Sequence, residues 1–213
     1  MDPTTLLAEL NAYQAATPHE ERMRRRMVRF VGSHPRCCSR ALAVGHITTS
    51  AWVIDREATH VLLTHHRKLH RWLQLGGHTE GEARLIDSAI REATEESGLT
   101  GLIALRAQRA AKRGSKRMTN FDLGRAEQAP FCACSSKESI FDLDIHSIPA
   151  RGPEPEHLHY DVRFLLQANR RASLLVSSES KDLAWVRLDQ VHSLNPAESM
   201  MRMVRKSQNC VIP

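Results

Sequence analysis

The spacing of apolar residues changes along the chain, and each change marks a new kind of element. Near the N-terminus apolar residues recur at helical spacing, which predicts helices over residues 4–15 and 18–31. From Gly45 the segments HITTSAWVID and HVLLTHH are rich in β-branched and apolar residues, which predicts strands. A helical period returns from about Glu82 to Ser97, and Gly98 follows where a left-handed C-terminal cap is expected.

Two later segments, IFDLDIHSI and HLHYDVRFLL, alternate apolar and polar residues with a period of two, which predicts two strands. The connector between them contains three prolines and a glycine. We therefore expect a hairpin in which His146 faces His157 and Asp144 faces His159. This strip of polar side chains would line a binding cleft or hold a metal ion. The plain alternative is the solvated face of a hairpin.

The remaining pattern suggests how the chain is divided. LAWVRLDQV predicts one more strand, and NPAESMMRMVRKSQ predicts a C-terminal helix opened by Asn195 and Pro196. Strands and helices are thus mixed over residues 41–213, which we predict to be one domain of the α/β (α+β) class. Residues 1–40 would be an N-terminal helical extension. Residues 106–139 show no steady period and begin with a basic stretch, so we interpret them as an irregular insertion.

The net charge and the cysteine content limit which binding partners and metal ions the sequence favours. The 213 residues carry a formal net charge of +6, which favours anionic partners such as phosphates, with nucleic acid the less favoured choice. No apolar run is long enough to cross a bilayer, and MDPTTLLAELNAYQ lacks the order of a secretion signal, so we expect a cytoplasmic protein without a membrane partner. The five cysteines, an odd number, argue against a disulfide framework. Zinc at Cys37 and Cys38, or at Cys132 and Cys134, is a disfavoured alternative because neither pair has the usual spacing.

One segment, GGHTEGEARLIDSAIREATEESGL at residues 76–99, carries the clearest chemistry. Glu95 and Glu96 lie three and four positions after Glu92, so all three share one side of the predicted helix, where like charges repel. A bound cation would relieve that repulsion, and hard oxygen ligands select Mg²⁺ or Mn²⁺. The glycine pair that opens the segment lets the backbone approach such an ion. The spacing of the glutamates alone is also compatible with a Glu-rich surface helix, which is the alternative interpretation.

The whole segment closely resembles the Nudix box, the signature of the Nudix hydrolases. The matching positions, all in register, are Gly77, Arg91, Glu92, Glu95, Glu96, Gly98 and Leu99. Ala93 is a small residue where the box has an aliphatic one. The first glutamate of the box would fall at Ala83, but this chain has Glu82 one residue earlier. In the family that glutamate braces the loop and pairs with the arginine of the box, and the resemblance implies the same role for Glu82.

The resemblance also implies a fold, an activity and a set of site residues. The Nudix fold is an α/β/α sandwich around a mixed β-sheet, and its members mostly hydrolyse a nucleoside diphosphate linked to another group. Glu92, Glu95 and Glu96, with the carbonyl of Gly76, would bind Mg²⁺ or Mn²⁺. Arg91, Glu95, Glu96 and Glu179 would serve catalysis, Glu179 as the base that takes the proton of the attacking water. Arg67, Lys68, His157 and His159 would contact the substrate.

Two other functions remain open at this stage. The Nudix fold also supports isoprenoid diphosphate isomerisation, which needs a cysteine near the cleft. Cys132 and Cys134 lie in the irregular insertion and fit that need weakly. A non-catalytic nucleotide sensor or nucleic-acid-binding module would predict a damaged set of box glutamates, yet Glu92, Glu95 and Glu96 are all present.

Overall fold

The computed structural model describes residues 2–105, 139–152 and 154–208. The helices in these residues are α1 (Pro3–Ala12), α2 (Pro18–Ser33), α3 (Leu85–Ser97), α4 (Val191–Leu194) and α5 (Glu198–Gln208). The strands are β1 (Gly45–Ile54), β2 (His60–His66), β3 (Arg71–Leu73), β4 (Leu75–His78), β5 (Ile103–Ala104), β6 (Asp142–Ile148), β7 (His157–Gln167) and β8 (Ser180–Arg187). Most of the predicted insertion, with Cys132 and Cys134, lies outside the described residues.

Strand β1 is the centre of a mixed sheet. It runs parallel to β7, from Gly45 opposite Leu158 to Ile54 opposite Gln167. Its other edge pairs antiparallel with β4 and then with β2. Strands β5 and β6 extend the sheet beyond β7, and β3 and β8 pair with β2. All ten residues of β1 are buried, as expected for a strand covered on both faces.

Helices cover both faces of this sheet. On one face α1, α2 and α3 share a core with alternate residues of β1, including Ile47, Ala51 and Val53. On the other face Met200 and Met203 of α5 pack with Trp52, Ile54 and neighbouring apolar residues. A mixed sheet with helices on both sides is the predicted α/β/α fold class, which is confirmed.

The first two helices are fixed to the rest of the molecule by packing and by polar contacts. Thr17 caps α2 by accepting a hydrogen bond from the backbone N–H of Glu20, and the ring of Phe30 stacks on that of Tyr160 with centroids 3.9 Å apart. The ammonium of Lys206 on α5 lies 3.0 Å from the Glu20 carboxylate. The division of the chain at residue 40 stays a prediction, although these helices share the core of the sheet.

The predicted hairpin exists, but its register is wrong by two residues. His146 pairs with His159 instead of His157, and Asp144 pairs with Asp161. The reason is that β6 continues through Ile148, which pairs with His157, before the connector turns. A shift of two residues leaves each side chain on its original face, so the polar strip survives the correction.

The described helices include none with both the length and the apolar character needed to cross a membrane.

Candidate functional site

The glycine pair of β4 lies under the C-terminal half of α3. Strand β4 pairs with β1, with Gly76 opposite Ser50 and Gly77 opposite Thr49. A Cβ on Gly76, where φ is +153°, would lie 2.4 Å from the carbonyl oxygen of Thr49, so only glycine fits there. The apolar side of α3 is buried in the core, and the helix ends at Gly98 with φ +71°, the predicted left-handed cap.

Two of the three box carboxylates lie on this glycine pair. The backbone N–H of Gly76 donates a hydrogen bond to Oε2 of Glu96 over 3.2 Å. The carboxylate of Glu92 sits over Gly77, where a Cβ would lie 2.6 Å from its Cδ. Glu92 and Glu96 are four positions apart, so one helix face brings both to the loop.

Glu95 is the exposed member of the three, and the expectation of one compact cluster needs correction in this respect, although Glu95 shares Nη1 of Arg91 with Glu92, at 3.0 and 3.1 Å. The side chain of Glu95 is 59% exposed and accepts a hydrogen bond from Nη1 of Arg91 over 3.0 Å. The helical turn places Glu95 beside both Arg91 and Glu92, and rotation about its side-chain bonds directs its carboxylate to Arg91.

Burial raises the pKa values of the two inner carboxylates. Burial raises the pKa of Glu96 to about 8, and the charges of Glu92 and Glu179 add to the rise. Burial also raises the pKa of Glu92, with the charge of Glu95 adding to it, although Arg91 opposes the shift. These two neighbouring carboxylates are thus disfavoured in their ionised form, and the two glycines beside them leave room for an ion. A divalent cation fits such a site.

Arg91 joins the loop to the helix. Its Nε lies 2.5 Å from Oε1 of Glu82, its Nη1 lies 3.1 Å from Oε1 of Glu92, and its Nη2 donates to the carbonyl of His78 over 2.8 Å. Glu82 therefore pairs with the arginine from a position one residue earlier than in the box, while Ala83 is exposed. The side chain of Arg91 is turned toward the glutamates and the loop backbone.

The candidate base and two candidate substrate residues lie in neighbouring segments. Glu179 is exposed and precedes β8, and its charge reaches Glu96, whose pKa it helps to raise. Arg67 donates hydrogen bonds to the carbonyls of Ser178 over 2.9 Å and Ser180 over 2.7 Å, so its guanidinium fastens the Glu179 segment to the end of β2. Lys68 is exposed.

His157 and His159, the other candidate substrate residues, belong to a larger histidine cluster. His46, His78 and His159 each offer a ligand atom, and these atoms all lie within 4.8 Å of one another. Within the described part of the chain this is the one group of three or more such residues that meets this criterion. Nε2 of His157 lies 3.3 Å from Nε2 of His159. The cluster lines a cavity of about 290 Å³ beside the glycine loop, together with Arg40 and Glu154.

Two members of this cluster, His46 and His78, were not predicted from the sequence. Both histidines were visible, His46 at the start of a predicted strand and His78 directly after the glycine pair. The missing information was the pairing of strands, because the parallel register of β1 and β7 puts His46 opposite His159. Burial lowers the pKa of His46 and His78 to about 4 and that of His159 to about 2, and neighbouring imidazoles add to each shift.

A buried ionic network follows the histidines along the same sheet face. Asp142 is fully buried and pairs with Arg163 at 3.2 Å, Arg202 at 2.9 Å and Lys206 at 2.6 Å. Nε of Arg163 lies 2.8 Å from a carboxylate oxygen of Asp161. Because three cations converge on one buried carboxylate, the network ties α5 to the sheet rather than forming an open site.

Solved structures similar to this chain include several Nudix hydrolases. An Ap4A hydrolase from C. elegans, in a binary complex, is 16% identical, with a TM-score of 0.49 over 76% of this chain and 94% of that one. A Nudix-family hydrolase from Clostridium perfringens is 21% identical, with a TM-score of 0.46 over 76% and 96%. The dihydroneopterin triphosphate pyrophosphohydrolase of E. coli is 14% identical, with a TM-score of 0.47 over 75% and 92%.

Other similar solved structures include a Nudix hydrolase from M. smegmatis, which is 14% identical with a TM-score of 0.44 over 78% of this chain and 84% of that one. Each of these TM-scores is below 0.5, so the likeness assigns no substrate and no residue role to this chain. No family model matches the sequence, and no curated protein matches it either.

Proposed function

We propose that this protein is a Nudix hydrolase that uses Mg²⁺, or Mn²⁺ in its place, to hydrolyse a diphosphate bond in a nucleoside diphosphate linked to another group. The observation that carries the proposal is the pair of buried carboxylates, Glu92 and Glu96, held against the backbone of Gly76 and Gly77. Without a bound cation this arrangement costs free energy, because burial of both carboxylates disfavours their ionised form.

In this proposal Glu92, Glu96 and the carbonyl of Gly76 hold the cation, and Glu95 joins them once its side chain leaves Arg91. A divalent cation bound there neutralises phosphate charge and lowers the pKa of a bound water. Arg91 positions the ligands, because it contacts both Glu82 on the loop and Glu92 on the helix. Arg91 is thus a positioning residue.

We assign Glu179 as the base that accepts the proton of the attacking water. Its exposed carboxylate lies near enough to Glu96 to affect the pKa of that group, and the segment that carries it is fastened by Arg67. Lys68, next to Arg67 in the chain, is exposed and would provide a cation for a substrate phosphate. His157 and His159 line the neighbouring cavity, which offers space for the group linked to the diphosphate.

A substrate panel with Mg²⁺ tests the proposal. It comprises nucleoside diphosphate derivatives, dinucleoside polyphosphates and oxidised nucleoside triphosphates, with product formation followed by chromatography. Glu96→Gln is the inactive reference, and Asp189→Asn, on an exposed ion pair with Arg187, is the matched control. We expect hydrolysis of at least one substrate class by the unaltered protein and the control, and loss of it in Glu96→Gln. Equal rates in all three proteins, or no hydrolysis together with salt-dependent RNA binding, would contradict the proposal.

A further inference from the structure

Three histidines from three adjacent strands point into one cavity. His46 of β1 and His159 of β7 are direct partners in the parallel register, and His78 of β4 lies opposite Thr48, two residues along β1. The ring centroids are 4.8 Å apart for His46 and His159, 5.1 Å for His46 and His78, and 5.3 Å for His78 and His159. Backbone pairing of β4 and β7 with β1 fixes the Cα positions that carry these rings.

His46 provides a second, independent observation. The residue is 3% exposed, and neither Nδ1 nor Nε2 has a hydrogen-bond partner. Buried polar atoms are normally satisfied, and an imidazole has one lone pair and one N–H to satisfy. A ligand within the cavity would use the lone pair, which the protein itself leaves unused.

His157 adds a ligand at the cavity mouth. Its Nδ1 lies 2.9 Å from the carbonyl of Pro155, a contact that places the N–H on that nitrogen and the lone pair on Nε2, facing His159. That Nε2 is 3.3 Å from Nε2 of His159. Two nitrogens that bind the same tetrahedral zinc ion at about 2.0–2.1 Å are separated by about 3.4 Å. The observed spacing therefore matches that of two ligands on one ion.

We propose that His46, His78, His159 and His157 form a zinc site that is separate from the acidic site of the box. Imidazole ligands suit zinc and similar transition metals, whereas Mg²⁺ requires oxygen ligands. The cavity is also lined by Arg40 and Glu154, whose opposite charges balance each other. Because His78 follows Gly76 by two residues, the ion ties β4, and with it the glycine pair, to β1 and β7. Binding of the ion needs no hydrolase activity, although two of its ligands, His157 and His159, line the cavity proposed above for part of the substrate.

Metal binding by the full-length protein, with any affinity tag removed, tests this proposal. The protein is stripped with a chelator and titrated with Zn²⁺ or with Co²⁺ in excess Mg²⁺. The variants are His78→Gln and His159→Gln, and the matched control is His192→Gln, an exposed histidine outside the cavity. We expect one equivalent of Zn²⁺ in the unaltered protein and the control, and at least a 100-fold weaker affinity in the two cavity variants. Unchanged affinity in both cavity variants would overturn the site.

Two further measurements keep the test decisive. The Glu92→Gln/Glu96→Gln double variant should keep its Zn²⁺, and loss of the ion in that variant would assign it to the acidic site instead. The Co²⁺ complex of the unaltered protein should show the intense visible absorption of tetrahedral nitrogen coordination, which needs no variant to fold. A thiolate charge-transfer band would assign the metal to cysteines, and weak octahedral absorption would also overturn the proposal.

Discussion

Arg91 and Glu82 form an ion pair in which Nε and Oε1 are 2.5 Å apart, and this pair closes the loop between β4 and α3. The same carboxylate accepts hydrogen bonds from the backbone N–H of Glu80 over 2.8 Å and from Oγ of Ser88 over 2.9 Å. Partial burial alone would raise the pKa of Glu82, but these bonds outweigh it and lower the pKa to about 2. The glutamate that comes one residue early therefore still braces the loop.

Removal of this brace should impair the proposed metal site. In Glu82→Ala, Arg91 loses its carboxylate partner on the loop and keeps only the carbonyl of His78 there, so it holds Glu92 less firmly. Changes to residues that orient metal ligands typically reduce metal affinity or activity roughly 10–100-fold, and we expect a loss of that size in Mg²⁺-dependent turnover.

The double variant Glu82→Ala/Ala83→Glu is the matched control for position. Residue 83 is exposed, so a carboxylate there should not recover the activity. Full recovery would mean that the loop accepts the family spacing, and full activity of Glu82→Ala alone would remove the bracing role.

Gly77→Ala tests the close approach of Glu92 to the loop. The new Cβ would lie 2.6 Å from Cδ of Glu92, and the flexible carboxylate would have to move away. We expect turnover to fall roughly 10–100-fold, with the urea midpoint nearly unchanged because only a side-chain end is displaced. Gly32→Ala, in α2 with open space around it, is the control and should keep full activity. Equal activity of the two variants would show that Glu92 need not lie on Gly77.

The elements and the acidic loop were predictable from the sequence because they depend on local patterns. The segment HVLLTHH coincides with β2, and Gly98 ends α3 as a left-handed cap. Local pattern also explains the errors, since α3 begins at Leu85, after the loop that Glu82 braces, rather than at about Glu82. The hairpin register depended on where β6 stops, which alternation alone does not fix.

The histidine cluster and the ionic network were not predictable because they depend on pairing between distant segments. His46 meets His159 only through the parallel register of β1 and β7, and Asp142 meets Arg202 only once α5 packs on the sheet. Rotation about side-chain bonds is equally invisible in a sequence. For this reason the spacing of Glu95 suggested a place beside Glu92 and Glu96, whereas its side chain turns to Arg91.

The pKa of Glu96 predicts how the stability of the metal-free protein depends on pH. The folded-state pKa is about 8, against an ordinary value of 4.5. Between these values the folded state keeps a proton that the unfolded chain has released, so Glu96 makes stability fall as pH rises, by up to about 1.4 kcal/mol per pH unit. The buried histidines, whose pKa values are lowered from 6.5, have the opposite effect at lower pH. Urea unfolding in chelator between pH 7 and pH 8, where those histidines are mostly neutral in both states, measures the slope. Glu96→Gln should flatten it, and identical slopes in the two proteins would contradict the raised pKa.

Asp142 should be essential for stability. Asp142→Asn would leave Arg163, Arg202 and Lys206 without a fully buried counter-charge, and breaking a buried ion pair in this way typically costs about 3–5 kcal/mol. Urea unfolding at pH 7 measures the loss. Asp189→Asn removes a carboxylate from an exposed pair and should leave the midpoint unchanged. Equal midpoints in the two variants would show that the network does not hold α5 to the sheet.

The central claim is that Glu92 and Glu96 hold a divalent cation for diphosphate hydrolysis. A Mg²⁺ titration of turnover, with the best substrate of the panel, compares the unaltered protein with Glu92→Gln/Glu96→Gln and with Gly32→Ala. We predict that the double variant loses Mg²⁺ affinity and at least about 100-fold in kcat, while Gly32→Ala behaves like the unaltered protein. Unchanged Mg²⁺ dependence and unchanged kcat in the double variant would contradict the account.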